Sequence, residues 1–127
     1  MDHNEIIEEM MNGRHCAQIV LGAFADETGY DEEETDALSQ FFDGGMNMGQ
    51  TCGAVTGALM AMGLLKMSKG QAMEFEIKFR ERFGSCLCFD LLDKKQPGTA
   101  RLDGTMLEKC PAYIEAAIEM IREKLDE

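Results

Sequence analysis

The sequence predicts an all-helical fold. Apolar residues recur with helical periodicity in every ordered segment, the chain has only two valines among 127 residues, and no alternating apolar and polar run reaches strand length. A chain of this length forms one domain with a hydrophobic core that needs no disulfide staples. The expected architecture is a single helical domain over residues 1–127, five to seven helices packed around a buried central helix at about residues 51–66.

The elements follow in order from caps and stripes. Residues 2–11 form a short surface helix with Asp2 as cap and Glu5 three positions on, the spacing of a capping box. After Gly13 a longer helix is expected to run to about Thr28. Cys16, Ile19, Val20, Ala23 and Phe24 lie on its inner face, and Gly29 stops it. Asp31 caps a third helix whose first turn, Glu32 to Glu34, places acids where the helix dipole favours them, with Leu38, Phe41 and Phe42 expected inside. Ser68 opens a helix to about Phe83, with Ala72, Phe75, Phe79 and Phe83 as the core stripe and Glu74–Lys78 and Glu76–Arg80 as outward pairs. Gly84 closes it, and Ser85 caps a short helix, CLCFDLL, whose first turn holds Cys86 and Cys88. Two residues apart on a helix, those cysteines face different ways, so one should be buried and the other not. Asp93 to Thr105 is polar, carries the turn signals Pro97-Gly98 and Asp103-Gly104, and reads as the least ordered stretch. Pro111 fits the first position of a terminal helix, which makes Cys110 its cap and Ile114, Ile118, Ile121 and Leu125 its buried stripe.

The central segment, GGMNMGQTCGAVTGALMAMGLL, starts at Gly44. From Thr51 to Leu65 its only ionisable group is the Cys52 thiol, so the helix should be buried around its circumference. Gly53, Gly57 and Ala61 recur every four residues, a row of small groups that lets a neighbouring backbone approach closely. With Thr51 as cap, Cys52 becomes the first helical residue, at the positive end of the dipole, where thiolate is favoured over thiol and reactive cysteines recur. The glycine turn before it lacks the lysine and the GK[ST] ending of a phosphate-binding loop.

Twenty-four acidic residues against twelve basic ones leave a net charge of −12, which repels phosphate backbones and anionic lipid, so nucleic acid is not an expected partner. The acidic N-terminal residues carry no apolar run of signal-peptide type, and an uncharged segment of about 15 residues is too short to cross a bilayer. Both point to a cytoplasmic protein without membrane insertion. In that setting five cysteines, at positions 16, 52, 86, 88 and 110, suggest catalysis, redox sensing or metal binding rather than structural bridges. The absence of any CxxC pair removes the thioredoxin-like motif, the zinc ribbon and covalent haem attachment. Two histidines and no Glu-x-x-His leave no histidine-rich or di-iron site. His15 is read as a solvated or packing residue.

Cys16 in HCAQIVLGAFADETG, the motif Cys52-Gly53-Ala54-Val55-Thr56-Gly57, Cys88 in CFDLL and Cys110 before the terminal helix together resemble the C_GCAxxG_C_C family, over about residues 14 to 115. The resemblance implies a small helical protein described as redox-active, whose four family cysteines map to Cys16, Cys52, Cys88 and Cys110. It implies no substrate, and Cys86 is an extra thiol.

The leading expectation is therefore thiol and disulfide chemistry, as in a thiol–disulfide oxidoreductase or redox sensor that exchanges electrons with a partner protein. Cys52 is the attacking thiol, Cys88 or Cys110 resolves, and Cys16 sits beneath. The alternative is that Cys16, Cys52, Cys88 and Cys110 bind a soft metal ion or an iron–sulfur cluster. Their gaps of 35, 35 and 21 residues neither support nor forbid it. Both readings require the four to converge near the N-terminus of the central helix. A non-catalytic binding protein with buried cysteines is the third reading.

Overall fold

A computed structural model describes all 127 residues and is all-helical. Nine α-helices occur, α1 (His3–Met11), α2 (Cys16–Gly22), α3 (Ala25–Thr28), α4 (Glu32–Ser39), α5 (Gly53–Leu64), α6 (Lys69–Phe83), α7 (Cys88–Leu91), α8 (Pro97–Leu102) and α9 (Thr105–Leu125), with a π-type turn at Gly45–Gly49. The only extended pairing is one isolated antiparallel bridge, Thr51 to Leu87. No helix is long and apolar enough to cross a membrane.

Helix starts follow local chemistry. Asp2 and Glu5, Asp31 and Glu34, and Ser68 and Gln71 each form a reciprocal capping box, for example with the Asp31 carboxylate accepting from the Glu34 amide at 2.8 Å. Gly29 and Gly84 end α3 and α6 in the left-handed conformation.

Nine helices replace the expected five to seven because one predicted helix divides and one predicted loop is helical. The helix expected through Thr28 breaks at Phe24, where φ −110° and ψ 21° leave the helical region. There the Ala23 carbonyl accepts from the Arg122 guanidinium at 3.0 Å, which lies 4.5 Å over the Phe24 ring, so this carbonyl is drawn to α9. The stretch 93–105, expected to be the least ordered, carries α8, with Pro97 in its first turn and Ala100 fully buried.

Two further expectations are corrected. Leu38 and Phe41 do not face the core; they are 56% and 70% exposed. Instead Thr35 and Ser39, one turn apart, are buried, with the Ser39 hydroxyl donating to the Thr35 carbonyl at 2.7 Å. The bidentate Arg14–Asp36 pair, at 2.7 and 3.1 Å, turns this polar face of α4 toward the start of α2. Pro111 is not at the start of the terminal helix but inside it, and Cys110 is its sixth residue rather than its cap. The helix begins at Thr105 because Asp103 accepts from both the amide and the hydroxyl of Thr105, at 3.0 and 2.6 Å. Proline lacks the amide that would bond Leu107, one hydrogen bond forgone in a long helix.

The central helix α5 packs most extensively against α2 and also contacts α9 and α6. Gly57 is where α2 and α5 touch: a Cβ there would lie 2.6 Å from the Ala17 carbonyl oxygen and 3.0 Å from its Cα. Phe75, Phe79, Phe83 and Tyr113 form an aromatic cluster between α6 and α9, with the Phe83 and Tyr113 rings edge-to-face at 4.9 Å. One cluster of 22 buried residues joins contributions from α1, α2, α5, α6, α7 and α9.

Candidate functional site

Three of the four cysteines at 16, 52, 88 and 110 sit where a helix begins. Cys16 is the first residue of α2, Cys88 is the first residue of α7 and Cys52 is the cap of α5. Thr51 is not the cap that its residue type suggested. It is held extended opposite Leu87, which delays the helix by one residue. The Cys52 amide donates to the Cys86 carbonyl at 2.7 Å and the Cys88 amide to the Gln50 carbonyl at 2.6 Å. These two bonds tie the turn that carries Cys52 to the turn that carries Cys88.

The four cysteines line one cavity of about 330 Å³, which Asp43, Arg101 and Tyr113 also border. Cys16, Cys52 and Cys88 are buried, and Cys110 is half-buried. Gly53 makes the approach of Cys16 feasible, since a Cβ at 53 would fall on the Cys16 sulfur and within 2.9 Å of the Phe42 carbonyl oxygen. The Cys-Gly pair is therefore a steric unit: glycine opens the space in which a second cysteine, from α2, meets the start of α5.

The electrostatics run against the expectation that a helix end makes Cys52 a thiolate. Burial pushes the Cys52 thiol up to about 12, opposed by the Ala54 and Val55 amides and reinforced by Cys88 and Cys86. Burial likewise raises Cys16 to about 12, with Cys52 and Asp43 adding to it and the Ala17 and Gly44 amides opposing. Cys88 reaches about 12 through burial, then through Cys16 and Asp43, with Arg101 opposing. Cys110 lies well above the usual thiol range through burial and then the other three cysteines, again with Arg101 opposing. Helix-end dipoles act within a turn, whereas removal from water penalises the whole charge, and here the second effect is larger. At neutral pH the four are thiols.

Polar groups border the thiols. Arg101 donates to the Asp43 carboxylate at 2.6 Å, and His15 Nε2 donates to the Gln40 carbonyl at 2.7 Å while lying 3.8 Å from Asp43. Tyr113 donates to the Leu91 carbonyl at 2.7 Å, which anchors α7 to α9 beside the cavity. Asp43, Arg101 and Tyr113 did not stand out in the sequence. Arg101 fell in the stretch read as a loop, and nothing local distinguishes Asp43 or Tyr113.

Cys86 points elsewhere. Its sulfur donates to the Glu76 carbonyl at 3.7 Å and it borders a second cavity beside α6, so of the near neighbours Cys88 is the buried one and Cys86 the half-buried one. No three His, Cys, Asp or Glu side chains have the arrangement to hold a metal ion. The four thiols form no such group as they stand.

The family model described as "Putative redox-active protein (C_GCAxxG_C_C)" matches residues 14–124 of this chain. No curated protein and no solved structure matches it.

Proposed function

Because the chain belongs to the C_GCAxxG_C_C family, named for redox activity, we propose that it acts by thiol–disulfide chemistry, with Cys52 and Cys88 as its principal pair. Cys110 is the alternative resolving thiol, and Cys16 lies against the start of α5 beneath them. The observation that carries the reading is that four cysteines, delivered by four different helices, line one cavity. Buried hydrophobic cysteines have no reason to gather in this way, whereas disulfide exchange requires proximity.

Oxidation of the pair would form one sulfur–sulfur bond and release two electrons and two protons. The electrons pass to the disulfide of a redox partner protein, which becomes a dithiol. High thiol pKa values leave few thiolates to attack at neutral pH and make reaction dependent on a partner that engages the site. A reducing cytoplasm, which keeps thiols free, suits this role. The 22-residue core spanning α1 to α9 supports the whole chain acting as one domain.

The test is oxidation of anaerobically purified, reduced protein followed by differential alkylation and mass spectrometry. A Cys52–Cys88 linkage, or Cys52–Cys110, is expected, and Cys52→Ser should abolish it. Four cysteines that stay free at saturating oxidant would refute the reading. Stoichiometric metal with all four shielded from alkylation would replace it with metal binding.

A further inference from the structure

The buried pair lacks an evident route to a large partner. Cys52 and Cys88 are 5% and 6% exposed, and in-line attack of one sulfur on another requires an approach path. Cys86 stands next to them but opens to the other side. It is half-buried and borders a separate cavity with Arg80, Glu76 and Leu87, outside the space shared by the other four.

The backbone sets its relation to Cys52. With Thr51 opposite Leu87 in the bridge, the antiparallel register puts residue 52 opposite residue 86, and the Cys52 amide bonds the Cys86 carbonyl at 2.7 Å. Directly opposed residues in an antiparallel pair have Cα atoms about 4.5–5.5 Å apart, inside the disulfide range of about 4.4–6.8 Å. The Cys86 sulfur opens to the other cavity yet lies near enough to Cys52 to act on its charge. The Cys86 sulfur now bonds the Glu76 carbonyl, so joining Cys52 requires that bond to break and the side chain to turn away from the second cavity. Burial raises the Cys86 thiol above its ordinary range, with Arg80 opposing and Glu76 adding to it.

We infer that Cys86 is the exchange thiol of this protein, passing disulfide bonds between an external disulfide and the buried Cys52–Cys88 pair. The inference rests on the thiol–disulfide reading above. Cys86 thiolate attacks the external disulfide, forming a mixed disulfide and releasing one thiolate, which takes a proton. Cys52 then gives up its proton and attacks the Cys86 sulfur, forming Cys52–Cys86 and releasing the second external thiol. Cys88 attacks Cys52 in turn, giving Cys52–Cys88 and returning Cys86 to the thiol. In sum two protein thiols are oxidised, one external disulfide is reduced, and two protons leave on the released thiols.

Glutathione disulfide is the probe, applied to reduced full-length protein with quenching and peptide mapping over time. Cys52→Ser should accumulate glutathione on Cys86. Cys86→Ser should form the Cys52–Cys88 linkage at least tenfold more slowly with glutathione disulfide, yet at the wild-type rate with hydrogen peroxide, which is small enough for the cavity. A wild-type rate with glutathione disulfide in Cys86→Ser, or glutathione appearing first on Cys88 or Cys110, overturns the relay and leaves the redox reading standing. Equal slowing with both oxidants also overturns it, because that marks a packing defect. No disulfide among Cys52, Cys88 and Cys110 in the wild type with either oxidant overturns the reading beneath, and the relay with it.

Discussion

Two glycines on one helix should respond to the same substitution with opposite sign. Gly57 and Gly63 both lie inside α5, so replacing either with alanine gains about 1 kcal/mol of helix propensity. At Gly63 nothing lies within 4 Å of the new methyl, and that gain stands. At Gly57 the methyl would sit 2.6 Å from the Ala17 carbonyl oxygen and 3.0 Å from the Ala17 Cα, backbone atoms of a neighbouring helix that cannot swing aside as a side chain would. Overpacking of this kind costs about 1–3 kcal/mol, and contact with backbone belongs at the upper end. Gly57→Ala should therefore lose about 1–2 kcal/mol net, which separates the two variants by about 2–3 kcal/mol. In a chain of this size the melting temperatures should differ by about 8 °C. Urea denaturation followed by circular dichroism, suited to a chain without tryptophan, measures the difference. Equal stability of the two variants would refute the close crossing of α2 and α5. Ala17 follows Cys16, so Gly57→Ala should also slow formation of any disulfide that depends on the cavity's geometry.

Stability should also fall steeply in alkali. Cys16 and Cys52 have folded pKa values of about 12, above the ordinary thiol value, so folding favours their protonated forms. This contribution is fully present below the unfolded pKa of about 8.5 and is lost as pH rises toward 12. Between pH 8 and pH 10 these two thiols should cost about 3–4 kcal/mol, and because Cys88 and Cys110 are raised in the same way, Cys16→Ser should remove only about a quarter of the slope measured by urea titration at the two pH values. Tyr113→Phe leaves the buried Leu91 carbonyl without its donor, and should lower urea-measured stability by about 1–2 kcal/mol while raising the exchange rate of α7 amides.

Where structure is decided within a few residues, it was readable from sequence. The Asp2–Glu5 capping box, the Asp31 cap, the glycine stops at 29 and 84, and the uncharged α5 all appear where their residue types put them. Departures occur where a distant group intervenes. The break at Phe24 depends on Arg122, the start of α7 on the pairing with residues 50–52, and the exposure of Phe41 on a polar face of α4 turning inward. In α9, Pro111 suggested a beginning, but Asp103 supplies a stronger one six residues earlier. The site divides in the same way. Cysteines 16, 52, 88 and 110 were nameable from the family pattern, but their shared cavity and their protonation depend on how four helices exclude water. A dipole at a helix end is visible in sequence; the desolvation that outweighs it here is not.

The short pairing of residues 50–52 with 86–88 has one more consequence. A disulfide between Cys52 and Cys88 would close a loop of 35 intervening residues. In an unfolded chain, closing a loop of that length costs about 4 kcal/mol of chain entropy, whereas the two hydrogen bonds of the pairing already hold its ends together in the fold. Thermodynamic linkage then makes the two equilibria one: the fold lowers the reduction potential of the pair by about 80 mV relative to the unfolded dithiol, and oxidation returns the same free energy as resistance to unfolding. Any partner or solvent change that loosens the 50–52 turn would make the bond easier to reduce, so the melting temperature becomes a readout of redox state.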